Sequence, residues 1–266
     1  MREVDRALER LYSGQSRVHE PRAGSTPPRP HVPIGPATPL GSPASILVWP
    51  STVIALEQAY GPKFEALAER LEEAEQHRPD RVILFTSCQR AEGRSTLVLT
   101  LARIQSRRPG KTLLIDADLT SPSLGRWLRV PGLLGLQDVV ESRCSFTDAV
   151  VSTGIGSLDL LPLRSAIERP KEFLASSGWT CLMARVRREY DLVLLDGSPI
   201  FAGLSATSLH RSIDSAVLVV NRGVTNDTAI ERVREVLEAG GLPVRGIAES
   251  FAEPPALAAH ESAIHA

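Results

Sequence analysis

The sequence predicts an α/β fold, a three-layer domain whose mostly parallel sheet carries helices on both faces. Three observations predict it. Short, continuous apolar runs recur from residue 82 onward, helical apolar patterns separate them, and several runs end in an acid or a polar loop. Residues 82–86, 112–116, 158–162, 191–196, 215–221 and 244–248 read as strands. Residues 95–106, 121–128, 136–141, 178–189, 204–211 and 227–239 read as helices. Right-handed crossovers between parallel strands put the loops that follow the strands on one edge, where ligands of such sheets bind.

The chain ahead of these runs is organised differently. Residues 1–12 read as a short N-terminal helix with Val4, Ala7, Leu8 and Leu11 on one face. Residues 13–45 hold Pro21, Pro27, Pro28, Pro30, Pro33, Pro36, Pro39 and Pro43 among Gly, Ser and Arg, the composition of a disordered Pro-rich linker. The domain is expected over residues 46–252, with its motif-bearing part from 81, followed by a flexible tail at 253–266. Ser51 or Thr52 can cap a helix reaching about residue 76, broken at Gly61-Pro62, with Phe64, Leu67, Leu71 and Ala74 as its apolar stripe. Core packing accounts for that stripe.

Composition limits the function. With 266 residues, 42% of them apolar, the chain can build one sizeable core. A net charge of −1 gives no electrostatic case for nucleic acid or an anionic membrane surface. Cys88, Cys144 and Cys181 match no disulfide or zinc spacing, which suits a reducing, cytoplasmic setting. The N-terminus lacks the apolar segment of a secretory signal, and no apolar run approaches the ~20 residues of a membrane span. Membrane contact would then come through a partner.

Three strand ends carry candidate chemistry. The first runs from Val82 through Thr86-Ser87-Cys88-Gln89-Arg90-Ala91-Glu92-Gly93-Arg94-Ser95-Thr96 into a helical pattern, the layout of a phosphate-binding loop. Amides from Arg90 to Thr96 can wrap a phosphate, Gly93 lets the backbone approach, and Ser95 is placed to put its hydroxyl on Mg²⁺. Two positions depart from the consensus: Cys88 replaces its first Gly and Arg94 its Lys. Basic residues here are nearly all Arg, the lysines being Lys63, Lys111 and Lys171, so composition alone can account for Arg94. The second strand end is Leu113-Leu114-Ile115-Asp116-Ala117-Asp118. Its carboxylates can serve a Mg²⁺ shell or an attacking group; the plainer role, a turn acid capping the next helix, suits Asp118 better than Asp116. The third is Leu192-Val193-Leu194-Leu195-Asp196-Gly197-Ser198-Pro199, where Asp196 can hold Mg²⁺ through water.

In this order, and with Pro122-Ser123-Leu124, Tyr190-Asp191, Asp214 to Val220 and Arg222-Gly223-Val224-Thr225 following, residues 81–251 resemble the cytoplasmic kinase domain of bacterial tyrosine kinases of capsule and exopolysaccharide systems. These kinases, of the CpsD/CapB type, stand among the deviant P-loop ATPases with MinD and ParA. The resemblance implies a P-loop NTPase fold, with ATP and Mg²⁺ as cofactors. It implies that Arg90, Ala91, Glu92, Gly93, Arg94, Ser95, Thr96 and Arg222 bind the nucleotide. Ser95, Asp116 and Asp196 would hold the metal, and Arg94, Asp116 and Asp118 would serve catalysis. As partners it implies a membrane-embedded polysaccharide chain-length or export protein, which would recruit the chain to the inner face of the membrane, and further copies of the chain itself.

The family pattern is incomplete here. Thr120 stands where the family has Arg after the second acidic motif, and Ser250 stands where an Asn often reads adenine. The tyrosines are Tyr12, Tyr60 and Tyr190, so the tail lacks the family's autophosphorylated cluster. Glu57, Tyr60 and Lys63 match only part of its oligomerisation pattern, and Gln89 replaces the extra loop lysine of MinD and ParA proteins. Three readings stay open: a tyrosine autokinase or ATPase using Arg94 for Lys, a non-catalytic nucleotide-binding regulator of polysaccharide assembly or export, and a MinD/ParA-like positioning ATPase, which Gln89 disfavours.

Overall fold

A computed structural model describes residues 47–72, 80–130, 132, 134–200 and 212–251. The terminal helix, Pro-rich linker and tail expected from the sequence, and the helix expected at 204–211, lie outside these residues.

Seven strands form one sheet in the order β3-β4-β2-β5-β1-β6-β7. In chain order they are β1 (Val82–Ser87), β2 (Thr112–Ala117), β3 (Val151–Ser152), β4 (Leu158–Leu161), β5 (Leu192–Gly197), β6 (Ser215–Asn221) and β7 (Val244–Ser250). Every pairing is parallel except that of β3 with β4. The central strands β1, β2 and β5 are buried at every position, which explains why their sequences show no alternation.

Alternation reappears in where the side chains go. Ile83, Phe85, Leu114, Leu194, Val217 and Val219 face one helical layer. That layer is α1 (Ser51–Glu72), α2 (Arg94–Gln105) and α3 (Leu124–Trp127). Val82, Leu84, Leu113, Ile115, Val193, Leu195 and Leu218 face the other. There lie α4 (Leu136–Val140), α5 (Phe146–Ala149), α6 (Pro170–Ala175), α7 (Ser177–Glu189) and α8 (Asp227–Ala239). The predicted three-layer α/β architecture is thus present.

Helix α1 is bent where the sequence has Gly61-Pro62: Tyr60 leaves helical geometry at φ −130° and ψ 17°. Pro62 removes a backbone donor and restricts the residue before it, so the bend falls just upstream. Glu57 of α1 pairs with Arg103 of α2, and Arg103 also stacks on Trp49 at 4.7 Å. Among the described residues no helix is long and apolar enough to cross a membrane.

Candidate functional site

The site lies at the C-terminal ends of β2, β5 and β1, adjacent strands in the sheet. Parallel register sets Asp116 directly beside Asp196 and Asp196 beside Phe85, so both acids reach the same edge as the loop after β1. This is the edge that the crossover argument predicts.

The loop after β1 is held in an unusual conformation. Ala91 and Gly93 both have positive φ, 62° and 79°, and Gly93 is the N-cap of α2. The backbone amides of residues 90–96 donate to no acceptor among the described residues. A run of free amides at a helix N-terminus is a nest for an anion, so the phosphates of a nucleotide fit this loop.

Arg94 does not point into that nest. Its side chain, only 8% exposed, turns back toward the strand ends. Nε donates to Asp196 Oδ1 at 2.8 Å, Nη2 to Asp118 Oδ2 at 3.0 Å and Nη1 to Ser87 Oγ at 3.1 Å. A guanidinium has donors on three nitrogens in one plane and can bridge two acids at once, which an ammonium on a single point does less well. Burial works against its charge, but Asp196 and Asp118 outweigh it and hold the proton more firmly than usual.

Arg90, half-exposed at the mouth, also reaches the cluster. It donates to Asp118 Oδ2 at 3.2 Å and to Thr120 Oγ1 at 2.6 Å. Thr120 thus serves as an acceptor for a guanidinium that comes from the loop.

The three acids have different surroundings. Asp118 accepts from Arg94, Arg90, Ser198 Oγ, Thr120 Oγ1 and the amides of Thr120 and Ser121. Burial raises its pKa, but Arg94, Ser198 and Thr120 together hold it below the ordinary carboxylate value. Asp116 takes one amide bond on Oδ1, from Asp118, and two on Oδ2, from Ser123 and Leu124 at 3.0 and 2.9 Å. It therefore caps α3, the role that the sequence suggested for Asp118; β2 ends one residue past Asp116, and the chain folds back over that carboxylate. Burial, with Asp196 alongside, pushes Asp116 up to about 8 despite the three amides. Asp196 is raised by burial, against the pull of Arg94 and Ser95. Its Oδ2 is buried with no hydrogen-bond partner.

Among the described residues no three His, Cys, Asp or Glu form a ready metal cage. Mg²⁺ sites built on one or two carboxylates plus phosphate oxygens do not need one. The orphaned Asp196 Oδ2, with Ser95 close by, fits such a site on the carboxylate side.

The remaining predicted positions surround this centre. Thr96 lies in the first turn of α2, and its carbonyl accepts from Thr100 Oγ1. Arg222, on the loop after β6, pairs with Glu249 and Asp227 and is nearly half-exposed. Ser250 Oγ donates to the Glu92 carbonyl and, at 3.2 Å, to that of Val220, so it fastens β7 to the phosphate loop. Glu92, predicted as a nucleotide contact, is 1% exposed, and its carboxylate is taken up by Gln89, Asn221 and Thr225. Sequence reasoning missed that Ser87, Ser198 and Thr225 take part; a hydroxyl at or just past a strand end was the only available sign.

A phosphate nest opening a helix, with acids at the ends of two neighbouring parallel strands, is the arrangement of a P-loop fold. Comparison with known proteins shows similarity to bacterial tyrosine kinases. No family model matches the chain. The tyrosine-protein kinase YwqD of Bacillus subtilis (strain 168) is 29% identical over 175 residues, covering 66% of this chain and 74% of that protein. The tyrosine-protein kinase CpsD of Streptococcus agalactiae is 24% identical over 169 residues, 63% of this chain and 74% of that one. Among solved structures, the VpsO kinase domain is 26% identical with a TM-score of 0.66, covering 76% of this chain and 95% of that one. MinD from Pyrococcus horikoshii OT3, solved with Mg-ADP, is 26% identical with a TM-score of 0.53, over 63% and 68% of the two chains. The chain therefore resembles the bacterial capsule and exopolysaccharide tyrosine kinases, on a MinD-like P-loop fold.

Proposed function

We propose that this chain is a nucleotide-binding regulator of the tyrosine-kinase-like class, acting in polysaccharide assembly or export with phosphoryl transfer weak or lost. The observation that carries this is the guanidinium of Arg94 bonded to Asp196 and Asp118 together. The phosphates of ATP would lie on the amides of residues 90–96, with Arg90 at the mouth. Ser95 and Asp196 would hold Mg²⁺, which would offset phosphate charge. Arg94 serves instead as a built-in cation for the acids. Releasing it without a replacement partner costs on the order of 3 kcal/mol, about a hundredfold in affinity for whatever displaces it.

The acids support the same reading. A general base needs a lone pair and a pKa near the working pH. Asp118 is ionised but saturated with donors, and Asp116 keeps its proton up to about 8 while holding three amides. With donors on both oxygens of each carboxylate, neither is well placed to accept a proton from a hydroxyl.

The enzyme reading is supported by the similarity to tyrosine kinases and by the unpartnered Asp196 Oδ2 beside Ser95, which is where a metal-assisted transfer would be organised. The two readings separate in an assay of phosphate release and phosphotyrosine for wild type, Arg94→Lys and Asp116→Asn. The regulator reading expects ATP binding by wild type with negligible turnover, and a gain in Arg94→Lys. Turnover by wild type that Asp116→Asn abolishes would establish the enzyme instead. Recruitment to the membrane face and self-association, as in the resemblance, are tested by co-purification with a membrane-embedded partner and by light scattering with and without nucleotide.

A further inference from the structure

We propose that Glu92 is a positioning residue that holds the phosphate loop open for its ligand, latching it to the turn between β6 and α8; this rests on the nucleotide reading. Glu92 lies inside the loop sequence, yet its carboxylate points away from the nest. Oε2 accepts the Gln89 amide at 2.6 Å, within the loop. Oε1 accepts the Asn221 amide at 3.3 Å and the Thr225 hydroxyl, 129 and 133 residues along the chain. The Glu92 carbonyl accepts the Ser250 hydroxyl at the end of β7. One residue thus ties the loop to itself, to the β6–α8 turn and to β7.

The loop needs such a tie. Ala91 is non-glycine at φ 62°, a conformation that persists only where its surroundings impose it. Free amides at 90–96 would close on internal acceptors if the chain could relax. By capping the Gln89 amide and anchoring to the Asn221 amide and the buried Thr225 hydroxyl, Glu92 removes that option. Thr225 is itself only 2% exposed and sits in a turn closed by its amide on the Asn221 carbonyl at 2.8 Å, so the anchor is rigid.

The test uses hydrogen–deuterium exchange of the full chain without ligand, followed by titration with a fluorescent ATP analogue. Glu92→Ala and Thr225→Val should each speed exchange of the Gln89 amide, the loop amide that Glu92 caps, about tenfold or more, leaving β1 and β5 protected as in wild type. Each should also weaken ATP binding by about tenfold or more. Thr225→Ser should keep wild-type behaviour. Combining Glu92→Ala with Thr225→Val should add little, because both break the same tie. Unchanged exchange at the Gln89 amide, or an increase spread equally over β1 and β5, overturns the latch. If wild type binds no ATP at millimolar concentration the nucleotide reading fails, and the exchange data still decide whether Glu92 holds the loop.

Discussion

Arg94 and Asp116 show how residue type and surroundings divide the work in this cluster. Arg94 neutralises two acids that would otherwise be buried together, Asp196 and Asp118. Truncating it leaves Asp196 without a counter-charge and Asp118 with only the half-exposed Arg90, so Arg94→Ala should lose about 3–5 kcal/mol of stability in urea unfolding. Arg94→Lys should lose less, because one ammonium can still serve one acid. A cost below 1 kcal/mol for the Ala variant would mean that the acids do not depend on Arg94. Asp116 gives a pH signature. An unfolded Asp ionises near 4, whereas the folded one keeps its proton to about 8. Between these values the native state binds the extra proton, so this group's contribution falls as pH rises from 4 to 8. Asp116→Asn stays neutral but gives up one amide acceptor. Its stability relative to wild type should therefore rise steadily from pH 5 to pH 8 when both are measured in chelator. A difference that does not change with pH would contradict the raised pKa.

At the scale of elements, the strands and helices of the described region were legible apart from three short ones. β6 and α8 fall at residues 215–221 and 227–239 as the sequence indicates, because continuous apolar runs and a helical stripe capped by Asn226 leave little choice. α5, β3 and α6 were missed; four, two and six residues are too short to display a period. The site was legible to the level of which residues meet. Asp116, Asp196 and the loop converge because strand ends are fixed by the sheet. The direction of Arg94 and the partners of Glu92 were not, since both depend on groups up to 133 residues away. Helix crossings were equally hidden. Gly178 in α7 lies against the carbonyl of Val140 at the end of α4, where any Cβ would overlap the oxygen and the backbone itself would have to move. Gly178→Ala should therefore destabilise by about 2 kcal/mol, although Ala is the better helix former. A stabilised variant in thermal unfolding would show that the two helices part freely.

For the whole molecule, the loop edge gathers contributions from most of the sheet. β1 supplies the nest, β2 and β5 the acids, β6 the turn that anchors Glu92, and β7 the Ser250 hydroxyl. A ligand bound there is held only by the folded arrangement, so its binding energy adds directly to folding stability. At a nucleotide concentration one hundred times Kd the gain is about 2.7 kcal/mol, which in a domain of this size moves Tm by roughly 5–10 °C. The dependence on Mg²⁺ separates Arg94 as a built-in cation from Arg94 as a substitute for the phosphate lysine. If Arg94 already occupies Asp196 and Asp118, the metal must compete with it, and adding Mg²⁺ to ATP should raise Tm less in wild type than in Arg94→Lys. If Arg94 instead swings onto the phosphates as the lysine would, both proteins should gain equally from the metal. The absence of any shift with millimolar ATP, with or without Mg²⁺, would remove the nucleotide from the account while leaving the fold and its acid–guanidinium cluster unchanged.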